Sequence, residues 1–326
     1  MKALVYQGVE TLGFTDVPDA IPQAGEHLIK VEAVGICGSD MHAYLGHDVR
    51  RPAPLILGHE AAGTIKGGTY DGMRVTVNPL VTCGVCPACK AGRENLCPER
   101  QIISMMPREG AFAQYVAMPM SNLVEVPDHV PLEKAALAEP LAVSWHAAQL
   151  ALQALHPAME RRALVIGGGA IGLAASLALK VMGLVDVTIV EPDPARCAFL
   201  CEQADQIAVA STDQNYPIVI DAVGFGVTRA SASSLVQPGG VIAHVGLGDD
   251  KPGLDVRRAT LQEITFIGTY TYTAADFRDT AAALFDGRLG PLDWTQTRPL
   301  AEGTSAFADL RAGKVVTPKI ILAPWS

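Results

Sequence analysis

Residues 162–172 read Arg-Ala-Leu-Val-Ile-Gly-Gly-Gly-Ala-Ile-Gly, a short apolar run that leads directly into a glycine-rich turn. The run predicts a buried strand over Arg162–Ile166. The Ala- and Leu-rich segment after the turn predicts a helix to about Met182, with Gly183 as its C-cap. As a string, Gly167-x-Gly169-x-x-Gly172 is a weak signal, but between a strand and a helix it is typical of a dinucleotide-binding turn. The glycines permit close approach of a pyrophosphate, and the helix N-terminus supplies free N–H groups.

A carboxylate follows the next predicted strand. This strand covers Val185–Val190, and Glu191 stands at its end, nineteen residues after Gly172. A carboxylate at that place can accept hydrogen bonds from an adenosine ribose. Because it would repel a phosphate on that ribose, Glu191 predicts a preference for NAD over NADP, and Arg196, five residues on, is the opposing feature. The alternative interpretation is a glycine-rich turn with a surface glutamate.

Strands and helices alternate through this part of the chain, which predicts a doubly wound parallel sheet. Ser211–Tyr216, between two of the strands, is too short for the usual helix. The remaining predicted strands of this sheet are Ile207–Val209, Ile218–Ala222 and Val241–Gly246.

The first 140 residues have a different character, with short strand-like segments separated by Gly and Pro. A helical pattern of apolar residues begins only at Leu132 and continues to Leu155. After about Gly268 the chain has no core pattern of its own, so we expect it to rejoin the first domain. The predicted strands of the first domain are Ala3–Tyr6, Glu26–Val34, Ala61–Ile65 and Arg74–Val77.

The composition is that of a large globular protein. The chain has 326 residues, of which 49% are apolar and 18% charged, and a net charge of −9. This length suggests two domains, and the acidic balance argues against binding to nucleic acid or to an anionic membrane. No uninterrupted apolar stretch approaches the ~20 residues of a membrane helix, and the N-terminal apolar stretch is too short for a signal peptide. We expect a soluble, cytoplasmic protein.

Four of the seven cysteines lie within fifteen residues, with the spacing C-x2-C-x2-C-x7-C. Such tight spacing lets one loop surround a tetrahedral Zn²⁺ with four thiolates, which makes a closed, structural site. The alternative is four unrelated buried thiols. The four cysteines are Cys83, Cys86, Cys89 and Cys97.

A second metal site is possible upstream. Cys37 lies in Gly35-Ile36-Cys37-Gly38-Ser39-Asp40-Met41-His42, and Gly58-His59-Glu60 follows about twenty residues later. A thiolate, an imidazole and a carboxylate can hold Zn²⁺ and leave a position open for a substrate, which is the pattern of a catalytic site. Taken singly, each of these residues is more often a buried thiol or an ordinary polar side chain.

Together these motifs resemble the zinc-containing medium-chain dehydrogenase/reductase family, within the broad group of zinc alcohol dehydrogenases. The resemblance covers nearly the whole chain and includes Glu139-Pro140-Leu141-Ala142. This element is most similar to the polyol branch of the family, which includes sorbitol and threonine dehydrogenases. Classical alcohol dehydrogenases usually have a cysteine at the place of Glu139.

The resemblance implies an α/β protein with a GroES-like β-rich catalytic domain, at 1–138 and 269–326, and a Rossmann NAD-binding domain at 139–268. It implies two zinc ions per chain. The structural ion would bind the four clustered cysteines. The catalytic ion would bind Cys37, His59 and Glu60, with Glu139 as a nearby ligand or bound through water. The implied cofactor-binding residues are Gly167, Gly169, Ala170, Ile171, Gly172, Glu191 and Arg196.

The implied reaction transfers a hydride between a secondary alcohol or polyol, or the matching ketone, and NAD. Ser39 and His42 match the family's proton-relay positions, and an unperturbed histidine titrates near pH ~6.5, which suits the release of a proton to solvent. The resemblance also implies a homodimer or homotetramer joined through the Rossmann sheets, around Val256–Ile267.

Departures from the family pattern leave alternatives open. Sorbitol dehydrogenases tend to have an arginine at the place of Thr271, so sorbitol itself is a doubtful substrate. One alternative is a zinc-bearing quinone or alkene reductase of the same fold, although such members usually lack the catalytic ligands. Another is a non-catalytic nucleotide-binding relative, which would need no proton path through Ser39 and His42.

Overall fold

The computed structural model describes every residue from Met1 to Ser326, in two compact units. The first unit comprises Met1–Glu139, Thr273–Gly287 and Thr295–Ser326, and the second comprises Pro140–Tyr272 and Arg288–Trp294. The domain boundaries implied by the family resemblance, 138/139 and 268/269, stay a prediction beside this division.

The strands, in chain order, are β1 Lys2–Gly8, β2 Thr11–Asp16, β3 Glu26–Gly35, β4 Leu55–Ile56, β5 Glu60–Lys66, β6 Arg74–Val77, β7 Leu80–Val81, β8 Gln101–Ile102, β9 Tyr115–Pro119, β10 Leu123–Glu125, β11 Arg162–Ile166, β12 Asp186–Val190, β13 Ile207–Val209, β14 Tyr216–Asp221, β15 Val236–His244, β16 Thr265–Gly268, β17 Thr295–Pro299 and β18 Lys319–Ala323.

The α-helices are α1 Gly38–Tyr44, α2 Pro87–Lys90, α3 Leu132–Ala135, α4 Ala138–Ala154, α5 Ala170–Val181, α6 Pro194–Glu202, α7 Gly226–Leu235, α8 Val256–Leu261, α9 Ala274–Phe285 and α10 Gly303–Arg311. Short 3₁₀ turns cover Glu94–Leu96, Met120–Asn122 and Leu300–Glu302. No helix is both long enough and apolar enough to span a membrane.

The first unit is built on a seven-stranded sheet with the order β10-β6-β5-β3-β18-β17, in which β9 also pairs with β3. The antiparallel register of β3 and β5 sets Gly35 opposite Glu60, and β18 lies along the other side of the same end of β3, with Ile321 opposite Gly35. The carboxyl end of β3 therefore lies between one strand from the first fifth of the chain and one from its last residues.

The second unit contains a six-stranded, wholly parallel sheet with the order β13-β12-β11-β14-β15-β16. Every residue of β14 is buried, as expected for a strand covered on both faces. The connections reverse direction between β11 and β14, and such switch points are where open parallel sheets bind ligands. This confirms the predicted doubly wound sheet, and its β13–β14 connection contains no helix, as the shortness of Ser211–Tyr216 predicted.

The structure differs from the prediction between Leu132 and Leu155, where two helices replace one. The hydroxyl of Thr76 donates to the carbonyl of Ala135 at 2.8 Å, and the Leu137 N–H bonds three residues back to Lys134. Because Ala135 is bound to β6 instead of continuing the helical ladder, the chain turns before α4 begins. Sequence periodicity does not register a hydrogen bond from a distant strand.

Candidate metal centres and nucleotide-binding turn

A thiol, an imidazole and a carboxylate meet at the end of β3. The ligand atoms of Cys37, His59 and Glu60 all lie within 4.8 Å of one another. Cys37 is the residue that precedes α1, and Glu60 is the first residue of β5, which pairs with Gly35. A Cβ on Gly35 would overlap Glu60 Oε2, so this position requires glycine for the carboxylate to fit.

A buried lysine binds one oxygen of Glu60. Lys319, at the start of β18, donates to Glu60 Oε1 at 2.6 Å and to the carbonyl of Ile36 at 3.0 Å, and both charged side chains are buried. Burial by itself would lower the pKa of Lys319, but the charges of Glu60, Cys37 and Glu139 outweigh burial and raise it. The ammonium therefore stays protonated and holds the carboxylate in one orientation.

The other oxygen of Glu60 fits a metal centre. Glu60 Oε2 is buried and has no hydrogen-bond partner. A buried carboxylate oxygen left in that state is costly, and a cation bound beside Cys37 and His59 would satisfy it. A thiolate, an imidazole and a carboxylate are all zinc ligands, so these residues fit the predicted catalytic zinc.

Asp40 supports His59 from behind. Asp40 is fully buried, its Oδ1 lies 3.5 Å from His59 Nδ1, and its Oδ2 accepts the Cys37 N–H at 3.0 Å. Burial opposes both charges, yet their mutual attraction prevails, so the pKa of His59 lies well above its usual value and the pKa of Asp40 below its own. A carboxylate behind an imidazole orients a metal-binding histidine.

The other predicted residues of this site are nearby in the first unit. Glu139 is buried at the start of α4 but does not belong to the three-residue cluster of Cys37, His59 and Glu60. Ser39 and His42 both lie on α1, three residues apart, which places them on one face of the helix. Both are partly exposed, and the His42 ring lies 6.3 Å from the ring of His47.

The four clustered cysteines form a second centre, with all their Sγ atoms within 4.8 Å of one another. Sulfur–sulfur distances are 3.5 Å for Cys86–Cys89, 3.6 Å for Cys83–Cys97 and 3.9 Å for Cys83–Cys89. A tetrahedron with Zn–S bonds of about 2.3 Å has sulfur–sulfur edges of about 3.8 Å, so this cage has the dimensions of a four-thiolate zinc site.

Local backbone groups prepare the cage for thiolates. The amide N–H groups of Val85 and Cys86 lower the pKa of Cys83 to about 6, whereas burial raises the pKa of Cys89 to about 11. Gly84 has a φ of +71°, which allows the tight turn that exposes these N–H groups. The backbone thus favours one thiolate before the metal binds.

The predicted glycine turn joins β11 to α5 in the second unit. Gly167 has a φ of +97°, and a Cβ on Gly172 would overlap the Gly167 carbonyl, so strand and helix can pack closely only with glycine at both positions. A Cβ on Gly169 would meet nothing within 4 Å, which leaves its side of the turn open to a ligand. Ala170 and Ile171 begin the helix whose N–H groups face that opening.

Glu191 is held at the end of β12 beside this turn. Its Oε2 accepts the Gly168 N–H at 2.9 Å and its Oε1 accepts the Asp193 N–H at 2.9 Å. Arg196 lies in the first turn of α6, and its Nη1 is 3.6 Å from Glu191 Oε2. The structure therefore pairs the two residues that the sequence set in opposition.

Some buried charges could not be recognised in the sequence as part of a site. Asp40 sits inside a quoted motif, but Lys319 is nearly 260 residues from Glu60 and no spacing pattern connects them. In the second unit, Asp221 and His244 end adjacent strands, with 3.2 Å between Asp221 Oδ2 and His244 Nδ1. The one sequence feature that marks them is that each is a polar residue at the end of a largely apolar strand.

Known proteins have sequences similar to this chain. Residues 23–128 match the alcohol dehydrogenase GroES-like domain, and residues 170–286 match the zinc-binding dehydrogenase domain. The sorbitol dehydrogenase of Bacillus subtilis is 34% identical over 295 residues, which cover 83% of this chain and 82% of the relative. The chain belongs to the zinc-containing medium-chain dehydrogenase/reductase family.

Solved structures of family members have the same fold. Acetophenone reductase from Geotrichum candidum, in complex with NAD, superposes with a TM-score of 0.88 at 27% identity and covers 99% of this chain and 97% of its own. A putative zinc-binding dehydrogenase from Sinorhizobium meliloti, bound to NADP, superposes with a TM-score of 0.87 at 25% identity and covers 99% of both chains. Membership of the family confirms the predicted GroES-like and Rossmann folds and the predicted class, a zinc-dependent alcohol or polyol dehydrogenase with a nicotinamide cofactor.

The two metal centres are expected to fail in different ways. Cys37→Ala should abolish turnover and remove one zinc ion per chain, while the melting temperature changes little, because a strong hydrogen-bonded frame surrounds the open site. Cys89→Ala should lower the melting temperature by at least about 5 °C, because the closed cage folds its own loop. That loop also binds α9, since Glu94 accepts the Ala274 N–H. Metal analysis, thermal melts and turnover measure the difference.

Cys201→Ala is the matched control, since Cys201 is exposed on α6 and belongs to neither centre. It should keep both zinc ions, the melting temperature and the activity. Full activity in Cys37→Ala would contradict the assignment of the open centre, and an unchanged melting temperature in Cys89→Ala would contradict that of the closed cage.

Proposed function

We propose that this enzyme oxidises a secondary alcohol or polyol to the ketone, with transfer of a hydride to NAD, and catalyses the reverse reduction with NADH. The observation that carries the proposal is the buried cluster of Cys37, His59 and Glu60 at the start of a helix that also bears Ser39 and His42. A purely structural metal site or a nucleotide sensor would need neither an incomplete ligand set nor a proton path.

In this proposal Cys37, His59 and Glu60 hold the zinc, and Asp40 and Lys319 fix the orientation of two of these ligands. When bound, zinc polarises the substrate oxygen as a Lewis acid, and NAD accepts the hydride. Glu139 supplies a further buried carboxylate to this region, as a ligand or through water.

The proton leaves by way of α1. Ser39 accepts the proton of the substrate hydroxyl, and the cofactor ribose hydroxyl and His42, three residues on along the same helix face, pass it to solvent. Ser39 is suited to the first step because a hydroxyl can accept one proton while it donates another. His42 is suited to the second because an imidazole exchanges protons with water near neutral pH.

The substrate class is supported by the sorbitol dehydrogenase relative and by the acetophenone reductase neighbour, which are named for a polyol and for a ketone. Thr271 narrows it. Thr271 has a φ of +45° and its buried Oγ1 has no hydrogen-bond partner. A hydroxyl at this position offers no positive charge, so we propose a substrate with fewer or differently placed hydroxyl groups than sorbitol.

The activity is tested with a panel of secondary alcohols and polyols, with NADH formation followed by absorbance. We expect turnover with at least one alcohol, and loss of turnover after prolonged treatment with a chelator, because the open site exchanges its metal. Added Zn²⁺ should restore it. A protein that carries both zinc ions and binds NADH, yet oxidises no alcohol and reduces no ketone, would contradict the proposal.

We further propose that NAD is preferred over NADP. Glu191 is held by two backbone N–H groups and is nearly buried, so it cannot swing away from a ribose phosphate. Arg196 already lies beside Glu191, so the carboxylate neutralises the cation that could otherwise bind that phosphate. The electrostatic potential at the ribose therefore disfavours a phosphate on that ribose, which would add a charge of about −2.

Glu191→Ser should relax this preference. The substitution removes the repulsion and releases Arg196, so kcat/KM with NADP should rise by at least about tenfold relative to NAD. The double variant Glu191→Ser with Arg196→Ala is the control, and it should lose most of the gain. Equal or better kcat/KM with NADP in the unchanged enzyme would refute the proposed preference.

We also propose a homodimer or homotetramer joined through the edge of the six-stranded sheet. The edge strand β16 has unpaired backbone groups on its outer side. Large apolar side chains are exposed at Val256 and Leu261 of α8 and at Phe266 of β16 itself. The cytoplasm is the compartment we propose, since all seven cysteines are free and the five cysteines of the two metal centres need reduced thiols.

Light scattering should give a mass of two or four chains, and Phe266→Lys should shift it towards one chain because it places a charge at the edge. Ile21→Lys, at an even more exposed apolar position in the first unit, should leave the mass unchanged. A single-chain mass for the unchanged protein at micromolar concentration would contradict the proposed assembly.

A further inference from the structure

Arg51 is a buried arginine in the loop that follows α1, with a side chain only 2% exposed. Its Nε donates to the carbonyl of Ser104 at 2.9 Å and lies 3.2 Å from the Ser104 hydroxyl. Its Nη1 donates to Asp48 Oδ2 at 2.8 Å and to the carbonyl of Ser39 at 3.2 Å, and its Nη2 lies 3.5 Å from Ser39 Oγ. The guanidinium thus contacts both the backbone and the hydroxyl of Ser39.

The chemistry of the guanidinium determines which group donates in this contact. Arginine has five N–H donors and no acceptor, so Ser39 Oγ can only accept from it. A hydroxyl has one proton and two lone pairs. With one lone pair facing Arg51, the Ser39 proton must point away from Arg51, and the second lone pair stays available to a substrate hydroxyl.

The position of Arg51 is itself firmly determined. Ser104 is fully buried and has a φ of +71°, so its carbonyl is held at a fixed place in the first unit. Asp48 neutralises the buried charge. Ser104 from a distant segment and Asp48 from the same loop therefore hold the planar guanidinium, and its remaining donors reach Ser39 without the loss of side-chain freedom that an exposed arginine would suffer.

We propose that Arg51 is a positioning residue for the proton relay, which fixes the rotamer of Ser39 and the direction in which its hydroxyl passes a proton. The inference rests on the proposed role of Ser39. In the oxidation, the substrate O–H bond breaks and its proton goes to Ser39 Oγ, while the proton of Ser39 leaves towards His42. The carbon–hydrogen electron pair leaves as hydride to NAD, and Arg51 keeps all its protons.

The kinetic test is Arg51→Met, measured in H₂O and D₂O. We expect kcat to fall by about tenfold with KM changed less than about twofold, because substrate binding is intact and the proton step is misaligned. The solvent isotope effect on kcat should increase, since proton transfer becomes rate-limiting. The kcat of Arg51→Lys should lie between those of the unchanged enzyme and of Arg51→Met. An ammonium keeps the charge but cannot contact Ser104, Asp48 and Ser39 as the planar guanidinium does.

Arg50→Met is the matched control. Arg50 is about half exposed and shares Asp48 with Arg51, so this variant disturbs the same carboxylate from the solvent side. It should keep kcat and the isotope effect. Zinc content and melting temperature are measured in every variant, so that a folding defect is recognised separately from a slowed relay.

A double-mutant cycle separates this inference from the proposed function. Ser39→Ala alone should slow turnover by at least about 100-fold, and Arg51→Met should add less than about twofold in that background. If Ser39→Ala keeps full activity, the relay and the inference are both wrong. If Ser39→Ala is impaired but Arg51→Met lowers kcat equally in both backgrounds, or not at all, the inference alone is wrong.

A spectroscopic measurement tests the contact without turnover and without an Arg51 variant that has to fold. In protein labelled with ¹⁵N-arginine, the guanidinium N–H signals of Arg51 should exchange slowly with water because the group is buried and bonded. Ser39→Ala should shift the Nη signals of Arg51 and leave its Nε signal, which reports Ser104. Arg51 signals that are unchanged in Ser39→Ala would overturn the proposed contact.

Discussion

The buried ion pair between Lys319 and Glu60 is the interaction on which the open metal centre depends. The two residues come from opposite ends of the chain, and the pair forms only after β18 has joined β3 in the sheet. Removing one partner of such a pair costs about 3–5 kcal/mol, because the other charge is left buried without compensation. The ligand geometry at Cys37 and His59 is therefore coupled to completion of the first unit.

This coupling makes the open centre very different from the closed cage. Cys83, Cys86, Cys89 and Cys97 belong to one loop, and local backbone amides already favour the thiolate of Cys83. A cage of this kind assembles from neighbours in sequence. The open centre assembles from β3, β5 and β18, and its ligands are oriented by Asp40 and Lys319 instead of by their own loop. A catalytic site gains from that arrangement because a rigid frame can hold an incomplete ligand set.

In both functional regions, a residue that would meet a ligand is paired with a charged side chain, and the pairs act in the same way. Asp40 orients His59, Lys319 orients Glu60, and Arg51 contacts Ser39. In the second unit Arg196 lies against Glu191. In each pair, the supporting group limits the freedom of the one that would meet the zinc, the substrate or the cofactor. Asp40, Lys319 and Arg51 do so from buried positions, whereas Arg196 is partly exposed. Such supporting partners restrict rotamers before any ligand arrives.

Sequence motifs predicted the groups that act locally. The glycine turn, Glu191 and the four-cysteine loop were recognisable because each depends on close spacing, and the strand Arg162–Ile166 was predicted to the residue. The helix over Leu132–Leu155 was not, because a hydrogen bond from Thr76 to Ala135 interrupts it. The helix α1, which carries Ser39 and His42, was missed because it is too short for a periodic pattern to be recognised.

By itself, the sequence determined the family and the class of chemistry and predicted the residues that bind metal and nucleotide, because these depend on residue types at short, fixed intervals. Only the tertiary structure decided which charges support them. Lys319 and Arg51 read in the sequence as ordinary surface cations, since nothing in the nearby sequence sets them apart. They become part of the site because sheet pairing and loop packing exclude water from them, and a buried charge must find a partner among the groups that the fold brings near.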